Sequence, residues 1–360
     1  MSRPNEISAL TSLRGVAALT VLFFHADTGF RGYLAVDLFF LLSGFILTHV
    51  YSDVVLTRQS YGFFLKARLA RIYPVHLLML IFLLPMLDSR PDFSYSGLFT
   101  SVLLLQSPWH SMCWNYASWS ISAEWHSYLL FPFLVVNFRP NSRRSLCITL
   151  TLCALVVGIT DYVNSSGNIS NTPAVLLRCL PEFIAGIVLY FLYQRGCMPK
   201  WIGHDMTFWS ASVILVLLEW VRAPDGIMVC LLGLILVTSA INQERPFRLL
   251  NCRPLAYLGY ISYSLYMVEM VITIILLLFL EISKDSTLYR VLFISLCFLS
   301  AVIISPTIEY PARNWFRRIN WGPLGDFRRL KLRGLRNAVQ PQFLVSSVSK
   351  EVIESQESLR

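Results

Sequence analysis

Residues 33–51 read Tyr33-Leu-Ala-Val-Asp37-Leu-Phe-Phe-Leu-Leu-Ser43-Gly44-Phe-Ile-Leu-Thr-His49-Val-Tyr51, an apolar run of 19 residues that carries a single carboxylate. A helix of about 20 residues, rising about 1.5 Å each, crosses the roughly 30 Å hydrocarbon core of a bilayer. In lipid every backbone N–H and C=O must be satisfied within the segment, so the run reads as a helix. A β-barrel strand would alternate apolar and polar residues, and this run does not.

Runs of the same kind recur along the chain. The candidate spans are 7–27, 33–51, 72–88, 119–138, 146–161, 175–193, 206–222, 226–241, 255–281 and 288–308. The first contains Arg14 and continues past His25 with no small-x-small cleavage site, so it reads as a retained helix rather than a signal peptide. An eleventh run, 97–107, is short and is followed by Pro108; it reads as a partial or re-entrant helix inside a long loop. The expected fold class is all-α, a polytopic transmembrane helix bundle of about ten spans.

Composition agrees. Only 14% of the 360 residues are charged and 55% are hydrophobic, against about 25% charged in a soluble domain. The net charge of +9 could suggest nucleic acid in a soluble protein; here it reads as the positive-inside signal of a membrane protein, with no nucleic-acid partner. The eight cysteines form neither a disulfide framework nor a metal-spaced cluster, and no metal is expected.

The basic residues test the span assignment. With the N-terminus inside and ten alternating spans, 23 of the 30 Lys and Arg fall on the inner side. Counting 97–107 as a span would invert every later loop and destroy that asymmetry. Both termini are therefore expected in the cytoplasm, and the inner (plasma) membrane is the expected location. The domain reading is a membrane-embedded unit over 1–316, a basic membrane-surface segment over 317–336, and a disordered polar tail over 337–360.

Ionisable residues inside spans are costly and mark function by default. Arg14 and His25 stand eleven positions apart on the first helix, close to three full turns, hence on one side and roughly 16 Å apart along the axis. The alternative is a snorkelling arginine and an interfacial histidine. Asp37 opens the second span near the depth of His25, where a carboxylate can orient the imidazole; it can equally be a helix N-terminal charge. Arg68 and Arg71, three apart before the third span, share a helical face and can grip phosphates, or simply supply positive-inside charge. Glu124 follows Trp119 at the opening of the fourth span. Arg178 and Glu182, four apart, open the sixth and can pair. Glu269 lies deep in the ninth. His25, Asp37, Glu124, Arg178 and Glu182 are thus expected at similar depth in the outer half, and such convergence argues for a site.

Taken in order, these residues resemble the acyltransferase-3 class of integral membrane O-acyltransferases. The resemblance is carried by Ser12-Leu-Arg14-Gly15 with His25, then Val36-Asp37-Leu-Phe-Phe-Leu-Leu-Ser43-Gly44-Phe45 and Arg68-Leu-Ala-Arg71-Ile-Tyr-Pro74. It continues in Trp119-Ser-Ile-Ser-Ala-Glu124-Trp125, Pro181-Glu182-Phe-Ile-Ala-Gly186, Leu258-Gly-Tyr-Ile-Ser262-Tyr-Ser-Leu-Tyr266 and Glu309-Tyr-Pro311. It covers about residues 7–316. It implies ten spanning helices, acetyl-CoA as the usual donor, a catalytic role for His25, and functional roles for Arg14, Arg68 and Arg71. The chain departs from the pattern with Ala35 in place of Gly, and with Glu269 where many members carry His. It resembles the stand-alone form, without a soluble esterase-like domain.

The expected function is transfer of an acyl group, in the first instance acetyl, from cytoplasmic acyl-CoA to a hydroxyl of a cell-surface or lipid-linked glycan. Arg14, Arg68 and Arg71 bind the donor. His25 acts as general base, oriented by Asp37 or Glu124, or else forms a transient acyl-His intermediate. Ser43, Trp119, Arg178, Glu182, Tyr266 and Glu269 support the substrates. The rival from another class is a proton-coupled transporter or flippase of a glycolipid, because intramembrane His and carboxylates also build proton relays.

Overall fold

The computed structural model describes residues 7–27, 29, 31–52, 58–87, 93–109, 114–163, 175–242, 250 and 252–318. Every regular element among them is helical. The helices are α1 (Ser8–His25), α2 (Leu34–Tyr51), α3 (Arg58–Leu83), α4 (Tyr95–Val102), α5 (Gln106–Trp109), α6 (Ser118–Phe138), α7 (Arg143–Val163), α8 (Val175–Gln194), α9 (Asp205–Trp220), α10 (Asp225–Ile241), α11 (Arg253–Ile274), α12 (Thr287–Ile304) and α13 (Tyr310–Arg318).

Each apolar run coincides with a helix, and seven helical segments are long and apolar enough to cross a membrane. Helices α6, α9 and α10 stand outside that group. The polar first half of α6, with Glu124 and His126, dilutes its hydropathy; α9 and α10 are short at 16 and 17 residues. The 97–107 run becomes α4, whose eight residues extend only about 12 Å, followed by a turn and the kinked α5. The third span begins earlier than hydropathy suggests. Helix α3 starts at Arg58 rather than 72, so Arg68 and Arg71 lie within the helix instead of ahead of it. Apolarity marks only the second half of α3; in the charged half Arg68 packs against Tyr51 of α2 and Tyr128 of α6. The basic surface segment beyond residue 318 and the polar tail lie outside the described residues.

Two glycine-mediated crossings set the frame. Added to Gly259, a Cβ would lie 1.9 Å from the Thr11 carbonyl oxygen; added to Gly15, it would lie 2.7 Å from the Gly259 nitrogen. Helices α1 and α11 therefore touch backbone to backbone. In the same way a Cβ on Gly44 would lie 2.0 Å from the Phe183 carbonyl oxygen, and one on Gly186 would lie 2.2 Å from that of Leu41. Small residues at such crossings let helices approach closely where no hydrophobic effect drives them together. Both pairs run parallel, and this register positions the chemistry. Ten residues beyond Gly15 and Gly259 come His25 and Glu269, side by side. Seven residues before Gly44 comes Asp37, opposite Arg178 on α8.

Candidate active site

A cavity of about 110 Å³ lies between α1, α2, α3, α6 and α11, and Arg14, Ser43, Arg68, Arg71, Glu124 and Tyr266 all line it. Arg68 is held by aromatic faces: its guanidinium carbon is 5.5 Å from the Tyr51 ring centroid, 5.9 Å from that of Phe64 and 6.0 Å from that of Tyr128. It also donates to the Tyr51 hydroxyl at 3.3 Å. Glu124 accepts a hydrogen bond from the Ser43 hydroxyl, and Tyr266 shares one with Ser120 at 2.9 Å. Three guanidinium groups against one carboxylate leave the lining net positive. That is the donor set for a phosphate or similar anion, which Arg binds bidentately. A cavity of this size admits one narrow segment of a nucleotide-like donor, not the whole molecule.

His25 lies past this cavity, at the last turn of α1, about 16 Å along the axis from Arg14. Its Nδ1 bonds the Glu269 carboxylate. Glu269 is buried, with 4% of its side chain exposed, while the imidazole is open to 24%. The rings of Phe24 and Tyr116 flank the imidazole at 5.2 and 6.1 Å. With Nδ1 on a carboxylate, the proton is assigned to that nitrogen and the lone pair to Nε2. Such an imidazole can take a proton from a hydroxyl, and the carboxylate stabilises the imidazolium that results.

A third group gathers at the same end of the bundle. Arg178 grips Asp37 with two parallel hydrogen bonds, Nε to Oδ1 at 2.8 Å and Nη2 to Oδ2 at 2.5 Å. The same Nη2 reaches Asp225 at 3.2 Å, and Nε stands 3.7 Å from Glu182. Arg31 joins Asp225 to Glu219.

The sequence-based grouping therefore divides. His25, Asp37, Glu124, Arg178 and Glu182 do not form one cluster. The partner of His25 is Glu269, not Asp37 or Glu124. Asp37 is committed to Arg178, because the parallel register of α2 and α8 sets them opposite each other. Glu124 lies six residues, about 9 Å, inside α6 and so sits among the arginines rather than beside the histidine. Trp119 packs edge-on against Phe40, at 6.3 Å between ring centroids, behind the cavity wall. Arg178 and Glu182 do pair. Several participants escaped the sequence reading. Tyr128 was signalled by its spacing of four from Glu124 on one helix. Asp225 sits at the head of a span, where a carboxylate is an ordinary helix-terminal charge. Tyr263 lines the cavity from α11, and Glu309 accepts a bond from Ser264 at 2.7 Å; both stand in stretches that carry the family resemblance, without a charge or spacing of their own that assigns them a role.

An apolar helical bundle with seven helical segments long and apolar enough to cross a membrane is that of a multi-pass membrane protein, and a buried arginine cavity with a carboxylate-backed histidine beyond it is equipment suited to group transfer. Sequence comparison specifies the group: the acyltransferase domain of the acyltransferase-3 family matches residues 7–309, and the chain belongs to that family. It is an acyltransferase for groups other than amino-acyl groups. Relatives include protein 2 in the picA locus of Rhizobium radiobacter, 36% identical over 45% of this chain and 94% of that protein. The acyltransferase MdmB of Streptomyces mycarofaciens is 30% identical over 58% of this chain and 62% of its own length. The O-acetyltransferase OatA of Staphylococcus aureus is 23% identical over 72% of this chain and 49% of its own length. The chain thus spans about half to three-fifths of the length of the latter two. No solved structure matches.

Proposed function

We propose that this protein transfers an acetyl or similar acyl group from cytoplasmic acyl-CoA to a hydroxyl of a glycan or comparable acceptor, within a plasma membrane that it crosses about ten times with both termini inside. The observation that carries this reading is the His25–Glu269 pair, set one extended arm's length along α1 from three cavity-lining arginines. Arg14, Arg68 and Arg71 bind donor phosphates or the polar part of the donor arm, and the narrow cavity guides that arm toward His25.

Nε2 of His25 takes the proton of the acceptor hydroxyl as its oxygen attacks the thioester carbonyl. The C–S bond breaks and the thiolate leaves with the electron pair. The imidazolium, stabilised by Glu269, returns the proton to the thiolate. In this reading Glu269 positions His25, while Asp37, Arg178 and Glu182 support the end of the bundle where the acceptor enters. Ser43 holds Glu124 in place against the arginines, and Tyr266 closes the cavity on the α11 side. The name of the OatA relative, an O-acetyltransferase, supports acetyl and a hydroxyl acceptor.

The test uses purified protein in vesicles, given acetyl-CoA and a hydroxyl-bearing glycan. Free thiol and acetyl ester should appear in equal amounts. Movement of a glycolipid without thioester cleavage would refute the reading in favour of a transporter.

A further inference from the structure

A second cavity, of about 260 Å³, lies between α2, α7, α8 and α10, walled by residues such as Leu41, Val157, Leu189, Val229 and Val237. Helix α2 divides it from the arginine cavity, since Leu41 faces this one and Leu42 and Ser43 face the other. Along α8 its wall runs from Glu182 to Leu192, about 15 Å. An apolar cavity of about 150 Å³ takes up a benzene molecule, so by proportion this one holds about ten carbon atoms.

Its single charged wall residue among the described residues is Glu182, at one end. Glu182 is 1% exposed, and among the described residues neither carboxyl oxygen accepts a hydrogen bond from a cation or hydroxyl, the Asp37 carboxyl being its close neighbour. Its ion-pair partner, Arg178, stands at 3.7 Å, beyond hydrogen-bonding range, with its Nε and Nη2 committed to Asp37 and Asp225. Among the described residues, Asp37, Asp161, Glu182, Asp225 and Glu219 gather about two cations, Arg178 and Arg31. A buried carboxyl without a donor is costly, and five acids against two cations call for a positive one.

We propose that this cavity binds an alkyl chain of about ten carbons ending in an ammonium group, with the ammonium on Glu182 and the chain lying along α8. The charge complement selects the cationic head, and the apolar, elongated wall selects the tail.

The test is photolabelling of the full-length protein in vesicles with decylamine that carries a diazirine at the chain end. Adducts should map to residues 150–157 and 229–237 and should be competed by plain decylamine but not by decanoate. Glu182→Gln should reduce labelling about tenfold, the effect expected for one charge-assisted hydrogen bond. Gly233→Leu offers a second variant. An added Cβ there meets only Leu189, at an ordinary 3.5 Å, so the side chain fills the cavity and should abolish labelling in a protein that still elutes as one species. Two results overturn the proposal. If decanol competes as well as decylamine, a proton shared between Asp37 and Glu182 already neutralises the site. If labelling survives Gly233→Leu, the probe sits on the lipid-facing surface.

Discussion

Replacing Glu269 with Gln keeps the side-chain volume at a buried position and removes only the charge that faces His25. Among the described residues Glu269 Oε1 has no hydrogen-bond partner, so what the carboxylate gives up is chiefly its bond to Nδ1. The amide oxygen can still accept from Nδ1–H, so the ring stays near its place. What disappears is stabilisation of the imidazolium as the acceptor proton arrives. A hydrogen bond to a charged group contributes about 1.5–3 kcal/mol, which corresponds to about a 10- to 150-fold fall in kcat. Donor affinity should hold, because the arginine cavity lies about 16 Å away along α1. The assay is thiol release from acetyl-CoA by purified protein in vesicles at saturating acceptor, alongside direct measurement of CoA binding. An unchanged kcat would refute the assignment of Glu269 as the residue that positions His25. A fall in CoA affinity with kcat preserved would refute the separation of donor site from base.

Three further outcomes are expected. Arg71→Ala should weaken CoA binding by about 1–3 kcal/mol, roughly 5- to 150-fold in Kd, because the donor phosphate gives up one charge-assisted hydrogen bond; calorimetric titration measures it, and equal affinity would remove Arg71 from the donor site. Gly44→Leu should force α2 from α8, since even a Cβ would stand 2.0 Å from the Phe183 carbonyl oxygen; overpacking costs at least about 1–3 kcal/mol, seen as a lower unfolding temperature or the disappearance of a single elution peak. Cysteines introduced near Arg143 and Gln243 should be labelled only from the cytoplasm and those near Asn168 and Asp285 only from the opposite side; outside labelling near Arg143 would overturn the ten-span topology.

The helices were legible because the bilayer imposes one length and one polarity on each. Their ends were less so. The early start of α3 escaped because Lys66, Arg68 and Arg71 look like a loop to a hydropathy scale, although all three are helical and the two arginines line a cavity. At the site, the eleven-residue spacing of Arg14 and His25 held enough to place both on α1, and the depth estimate for Asp37 and Arg178 put them at the same end. What the sequence could not supply was which helices touch. That depends on Gly15 against Gly259 and Gly44 against Gly186, crossings whose partners lie 244 and 142 positions apart. Without those partners, the acid beside His25 was expected on α2 or α6, the elements nearest in sequence and in estimated depth. It stands instead on α11.

The central claim is that His25 takes the acceptor's proton, and it is tested most directly by His25→Ala in vesicles, with acyl transfer and CoA binding measured on the same preparation. Transfer should fall about 10²–10⁴-fold, the usual cost of removing a general base, while CoA binding stays at its original strength. Transfer at the normal rate would contradict the account and reduce His25 to an interfacial histidine.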